Sequence, residues 1–237
     1  MDFQVEIELS MSLGFDTFVR FMKIEIRGKQ LTMLPEKALA LVADRILVLA
    51  DLHFGKINHF RKSGIAVPSK ANDRNSEFLI DLLNRLKPER VVFLGDLFHS
   101  HYNEEWEVLG QVLHHFSACQ FELVRGNHDI MSNLQYERHK MHVHEGELKI
   151  DSFIFTHEPL EKPAGEFYNI AGHIHPGVHL SGRGKQSLTL PCFYFGKHQG
   201  ILPAFGSFTG LAKINAKKED QLFVIAEGKI LKVDQLH

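Results

Sequence analysis

Three short apolar stretches, each the length of one strand and each running straight into a polar cluster, constrain this chain more than any other feature. RILVLA at 45–50 runs into Asp51-Leu52-His53, RVVFL at 90–94 into Gly95-Asp96-Leu97-Phe98-His99, and FELV at 121–124 into Arg125-Gly126-Asn127-His128-Asp129. Strands this continuously apolar bury both faces, which demands a sheet covered on either side. Between the first two lies a helix over 73–86, with Phe78, Leu79, Leu82, Leu83 and Leu86 at helical spacing and Pro88 stopping it; a second helix is expected over about 104–117. Such alternation builds an α/β half around a parallel sheet. Residues just past the carboxyl ends of neighbouring strands in such a sheet converge on one crevice, so the three clusters become one site.

The flanking chain completes the outline. Residues 23–34 read as one further strand. After about residue 140 the pattern shortens into strand-sized pieces, MHVH, LKI, FIFTH, NIAGH, VHL, LTL, CFYF, LFVIA and KILKV, which predict a second sheet. No repeat, low-complexity tract or linker divides the halves, and 237 residues suffice for one large core, so residues 23–237 read as a single domain. Residues 1–22 read as a peripheral extension. They carry acidic groups where a secretory leader would carry basic ones, and no stretch approaches the roughly 18–20 apolar residues of a membrane span, so the chain is expected in the cytoplasm. Cys119 and Cys192 form no CxxC and exclude a disulfide scaffold. With 27 Lys+Arg against 29 Asp+Glu the chain is not a basic nucleic-acid coat, and any contact with an anionic polymer must come from local patches or metal ions.

The second half adds Thr156-His157 and Gly172-His173-Ile174-His175 at further strand ends. The convergent set is then Asp51, His53, Asp96, Asn127, His157, His173 and His175, with His128 beside it. Oxygen and nitrogen donors without thiolate suit divalent Mn above all, with Fe, Zn, Ni or Co also compatible. Seven donors exceed the needs of one ion. Two ions bridged by a carboxylate use them well, and such pairs, roughly 3.5–4 Å apart, clamp an in-line displacement at phosphorus. Taken singly, each motif is an ordinary turn or cap, Asn127 a turn residue and His128 a packed imidazole; in order, each at a strand end, they make a joint signal. His99 and Arg125 stand where they can support the site or touch substrate. Asp129 either orients a site histidine or caps a helix. Lys56, Arg61, Lys62, Arg183, Lys185 and Lys197 read mainly as solvated charges, and Phe193, Tyr194, Phe195, Phe205 and Phe208 as packing rather than base-stacking. Cys192 reads as an inert buried thiol.

D-x-H, G-D-x-x-H, G-N-H-D, T-H and G-H-x-H, in this order over residues 51–175, resemble the calcineurin-like metallophosphoesterases. The resemblance implies a four-layer α/β/β/α sandwich of two mixed β-sheets flanked by helices, with a two-metal site between the sheets. It implies that Asp51, His53 and His175 hold one ion, that Asn127, His157 and His173 hold the other, and that Asp96 bridges them. A hydroxide between the ions would attack phosphorus while His128 assists the leaving oxygen. ADLHFGK, HFRKSGIAVP, VVFLGDLFHS, LVRGNHD, THEP, AGHIHPGV and above all LPCFYFGKHQGILPAFGSFTG are further similar to bacterial ligase-associated DNA damage response phosphoesterases, also described as endonucleases, over roughly residues 30–211. That similarity implies a DNA or other phosphodiester substrate and a repair setting beside a DNA ligase, a helicase and an exonuclease. A small-molecule phosphoesterase acting on nucleotides or a nucleotide-linked lipid precursor is the competing enzyme reading. The protein phosphatases of the superfamily carry arginine after the bridging-aspartate motif, and GDLFHSHYNEE has none. A metal-free binding scaffold would have lost ligands, and none of the seven is lost here.

Overall fold

In the computed structural model, which describes residues 5–9, 20–54, 71–99, 102–163, 165–181, 187–207 and 209–233, the three apolar stretches are neighbouring parallel strands. A first sheet runs in sequence order through β1 (Val5–Leu9), β2 (Arg20–Ile26), β3 (Lys29–Leu34), β4 (Ala38–Leu41), β5 (Ile46–Ala50), β6 (Arg90–Leu94), β7 (Gln120–Val124) and β8 (Met141–His144). It is an antiparallel meander as far as β5 and parallel from β5 to β8. The stretch 23–34 is therefore not one strand. Arg27 and Gly28 adopt φ of 56° and 75°, the doubly left-handed turn that closes a two-residue hairpin, and β2 folds back on β3. β1 pairs with β2, so part of the N-terminal extension adds a strand to the sheet, and β2 itself begins at Arg20.

The second sheet is built from β9 (Glu147–Ile150), β10 (Phe153–Thr156), β11 (Tyr168–Ala171), β14 (Gln199–Ile201), β13 (Ser187–Phe195), β16 (Gln221–Ala226) and β17 (Lys229–Val233), in that spatial order. LTL and CFYF, expected as two strands, are the two ends of β13. β12 (Pro176–Ser181) joins β13 and carries β15 (Ala212–Lys213) on its far edge. The two sheets touch edge to edge through Lys229 and Arg20.

Alternation along β5 and β6 fixes the layers. Ile46, Val48, Ala50, Val92 and Leu94 enter a core shared with Phe153, Phe155, Tyr168, Ile170, Phe193, Phe195 and Phe223 of the second sheet. Leu47, Leu49, Val91 and Phe93 face the other way, onto α1 (Ala71–Leu86), α2 (Glu104–His115) and the short α3 (Asn133–Arg138). The fold is thus two mixed sheets with flanking helices, as expected. Among the described residues, however, the helices all cover the first sheet. The outer face of the second sheet carries a small cluster of Val178, Cys192, Leu222 and Val224 packed by Leu190, Ile214 and Ala216.

Parallel pairing does not stop at the strand ends. Asp51 N–H donates to Gly95 C=O (3.2 Å), His53 N–H to Asp96 C=O (2.9 Å), Phe54 N–H to Leu97 C=O (3.0 Å) and His99 N–H to Phe54 C=O (2.8 Å). The two polar clusters are thereby zipped together as rigidly as the strands behind them. Beneath them Phe98 packs edge-on against Trp106 of α2, whose indole is fully buried and meets Tyr136 as well. Trp106→Ala is expected to cost about 3–5 kcal/mol of stability by urea denaturation, because the cavity opens under the loop that carries Asp96.

Candidate metal centre

Five of the seven convergent side chains leave left-handed backbone: Asp51 (φ 53°), His53 (50°), Asp96 (48°), His173 (66°) and His175 (51°). Asp and His tolerate this region better than most residues, yet each instance still costs of order 1 kcal/mol or more, and the surrounding hydrogen bonds hold it. The result is that both members of D-x-H, and both of H-x-H, turn toward one centre. Asp51, Asp96 and His157 are almost fully buried, His173 and His175 partly, and Asn127 is exposed at the mouth.

Donor atoms collect in two groups. Asp51, His53 and His175 form the first, and Asp51, Asp96 and His157 the second, with the ligand atoms of each group within 4.8 Å of one another. Asp51 Oδ1 lies 3.5 Å from His175 Nε2 and 3.8 Å from His157 Nδ1, so this carboxylate reaches both groups, where the motif resemblance assigns it to one. Asp96 spans them the other way: Oδ2 is 3.8 Å from His53 Nε2, and Oδ1 is 3.5 Å from His157 Nε2. Asn127 Oδ1 and His173 Nδ1 each lie 3.0 Å from His157 Nε2 and complete a second triad.

The chemistry of these atoms suits a cation. His157 Nδ1 is 2.9 Å from the Leu94 carbonyl oxygen, which can only accept, so Nδ1 carries a proton and the ring turns Nε2 toward Asn127 Oδ1 and His173 Nδ1. His175 Nδ1 is held likewise by the Gly210 carbonyl at 3.2 Å, which leaves Nε2 bare. His175 Nε2 and Asp51 Oδ1 are buried, face each other, and make no hydrogen bond. Two buried polar atoms left without a partner in this way are costly, and a divalent ion between them would satisfy both.

The calcineurin-like phosphoesterase family model matches residues 44–226. The chain belongs to the calcineurin-like phosphoesterase family. No curated protein matches it in sequence. Among solved structures it is similar to the Pseudomonas putida nuclease MPE, with 28% identity over 90% of this chain and 100% of that one and a TM-score of 0.76. It matches more loosely the Escherichia coli phosphoesterase YfcE (14% identity, 77% and 88% coverage, TM-score 0.38) and a protein of unknown function, AQ665, from Aquifex aeolicus (20%, 59% and 82%, 0.38). Family and donor set together make this chain a metal-dependent phosphoric ester hydrolase that uses divalent ions.

Several residues around the centre of this phosphoesterase act otherwise than expected. Asp129 neither orients a histidine nor caps a helix. Its Oδ1 accepts from the N–H groups of Leu97 (3.0 Å) and Phe98 (3.3 Å) and its Oδ2 from Gly126 (2.8 Å), which locks the Asp96 loop to the Asn127 loop. Burial lifts its carboxyl to about 6 despite those three donors, with the Asp96 charge adding to the rise. Arg125 points away from the centre. Its guanidinium donates to the Asp129 and Met131 carbonyls (2.6 and 3.4 Å), to Asn133 and to Glu145 (2.9 Å), and lies over the Tyr136 ring, so it folds the turn behind Asn127. His99, by contrast, is on the site side. Its ring centroid is 4.1 Å from that of His128 and 5.2 Å from that of His53. Phe193, Phe195 and Phe205 are buried core, and Tyr194 donates its hydroxyl to Asp220 (3.0 Å). The Cys192 thiol is buried and pushed up to about 12. Lys197 is exposed, and Lys56, Arg61, Lys62, Arg183, Lys185 and Phe208 lie outside the described residues.

The supports that sequence reasoning missed are backbone groups: the carbonyls of Leu94 and Gly210, and the segment Phe205-Gly206, whose N–H groups donate to Ala50 (2.8 Å) and Asp51 (3.1 Å). The motif glycines are packing requirements. A Cβ on Gly126 would stand 2.5 Å from Asp96 Oδ1, and one on Gly172 would stand 2.6 Å from Asp51 Oδ2. Gly172→Ala is therefore expected to displace Asp51 and lose bound metal in elemental analysis, while the fold persists by circular dichroism.

Proposed function

We propose that this phosphoesterase is a two-metal phosphodiesterase acting on DNA. Asp51, His53 and His175 would hold one ion, Asn127, His157 and His173 the other, with Asp96 between them. The observation that carries this reading is the span of Asp96, one oxygen toward His53 and the other toward His157, as a carboxylate shared by two ions requires. Manganese is the ion this oxygen- and nitrogen-rich set favours. Divalent ions, when bound, polarise phosphoryl oxygens and lower the pKa of water.

The protein's own groups then divide the remaining work. Asn127 and His128 stand at the mouth, and the His128 backbone N–H donates to Asp96 Oδ1 at 2.9 Å, which ties that mouth to the shared carboxylate. The His128 ring is 44% exposed, with Nε2 3.9 Å from Asp96 Oδ2, so it can reach both the centre and an incoming ester. In this reading it donates a proton to the leaving oxygen. His99, its ring tilted against that of His128 with centroids 4.1 Å apart, limits where the His128 ring can point. A phosphodiester substrate is supported by the 28% identity to a nuclease that the chain covers end to end. The repair setting, beside a DNA ligase, a helicase and an exonuclease, is supported by the motif resemblance.

Metal-stripped protein reconstituted with Mn, Zn, Fe or Ni is expected to turn over an artificial phosphodiester and to cut single-stranded or nicked DNA. Absence of ester turnover with every metal would overturn the enzyme reading, and diester turnover without DNA cleavage would point to a small-molecule substrate. His128→Ala should lose about 10²–10⁴-fold in diester turnover and still bind its metals. Undiminished turnover in that variant would remove the acid role.

A further inference from the structure

Lys37 stands at the turn between β3 and β4, at the same end of the first sheet as the metal centre, since β4 runs antiparallel to β5 with Leu39 opposite Val48. Among the described residues, its half-buried ammonium has a single hydrogen-bond partner, the Gly206 carbonyl at 3.5 Å. Burial, and then the neighbouring Arg74 guanidinium, hold its pKa below the ordinary lysine value. The adjacent Glu36 is turned to Arg85 at 2.7 Å, and among the described residues no carboxylate pairs with Lys37. The residues next to the two cations add neutral polar groups. Ser207 donates its hydroxyl to the buried Asn75 Oδ1 (2.7 Å), and Thr209 donates to the same Gly206 carbonyl (3.4 Å).

This shoulder abuts the metal loop. Gly206 N–H donates to the Asp51 carbonyl, and a Cβ on Gly206 would lie 2.6 Å from the Leu52 carbonyl oxygen. The same segment runs on to Gly210, which holds His175 from the other side. Two like charges, one of them partly desolvated and neither paired with a carboxylate among the described residues, are a costly arrangement that an anion relieves. Arg74, exposed at the start of α1, lies over the Phe78 ring, 5.2 Å from its centroid.

We infer that Lys37, with Arg74, Ser207 and Thr209, forms a subsite for the phosphate oxygens of the nucleotide next to the scissile one. The inference rests on the phosphodiesterase reading of the metal centre and adds to it a reason for preferring a polymer over a lone diester. Lys37→Met keeps an unbranched side chain on the left-handed backbone (φ 66°) and removes the charge together with its long hydrogen bond to Gly206. Manganese-reconstituted wild type, Lys37→Met, Lys37→Arg and Arg74→Gln are compared on bis(4-nitrophenyl) phosphate, which has one phosphate, and on a single-stranded oligonucleotide.

The ratio of kcat/KM for the oligonucleotide to that for the small diester is expected to fall about tenfold or more in Lys37→Met. The slope of log(kcat/KM) for the oligonucleotide against log[NaCl] should flatten by about 0.7, the signature of one lost phosphate contact, which a merely structural lysine would not give. Lys37→Arg should restore both, and Arg74→Gln should shift the ratio in the same direction. An unchanged ratio and slope in Lys37→Met overturn the subsite. Wild-type turnover of the small diester without oligonucleotide cleavage overturns the subsite and leaves diester hydrolysis standing, whereas turnover of neither substrate overturns both.

Discussion

The rest of the structure depends on a crowded cluster of carboxylate, amide and imidazole donor atoms. Asp51 Oδ1 faces His175 Nε2 at 3.5 Å, and His157 Nε2 has Asn127 Oδ1 and His173 Nδ1 each at 3.0 Å. A chain left to itself would spread these atoms apart. Here they are held by left-handed backbone at five positions, by parallel ladder bonds that continue beyond β5 and β6, by the three-fold acceptance of Asp129, and by carbonyls that fix two imidazole tautomers. The surrounding architecture can be understood as the support needed to hold a set of donors that is at ease only around metal ions.

This support explains why the apolar strands are so uniform. β5 and β6 bury both faces, one toward the second sheet and one toward α1 and α2, so neither strand can slip in register without exposing a row of aliphatic groups. A slip of one residue would carry Asp51 and Asp96 to the wrong side. Position at the centre is thereby guaranteed by packing well away from it, including the buried Trp106 beneath Phe98.

How much of this could be read beforehand varied with the kind of atom involved. The parallel half of the first sheet was legible because long apolar runs with helical stretches between them have few alternatives, and the seven donors because each follows a strand end. β4 was not, since ALAL is buried throughout and shows no period, and the Arg27-Gly28 turn carries no asparagine or aspartate to announce it. The atoms that Arg125 and Asp129 hold were not legible: adjacency to a motif does not say which way a side chain points, and both turn back to the loop backbone. The carbonyls of Leu94 and Gly210 were invisible, because every residue owns a carbonyl and only the fold selects which one meets an imidazole. The second sheet was recognisable as strands, but its order, with β14 between β11 and β13, comes from pairings that no local pattern encodes.

The segment from Phe205 to Gly210 has a bearing on how the molecule comes into being. It supplies the hydrogen bonds that brace Asp51 and orient His175, yet it follows both in the chain by many residues. During synthesis from the N-terminus, the Asp, Asn and His side chains gathered at this centre all emerge before the strap that steadies them. A growing chain therefore presents these side chains without the hydrogen bonds that steady them until the later strap has emerged. For an enzyme whose chemistry is destructive to phosphate esters, such ordering builds a delay into the topology itself.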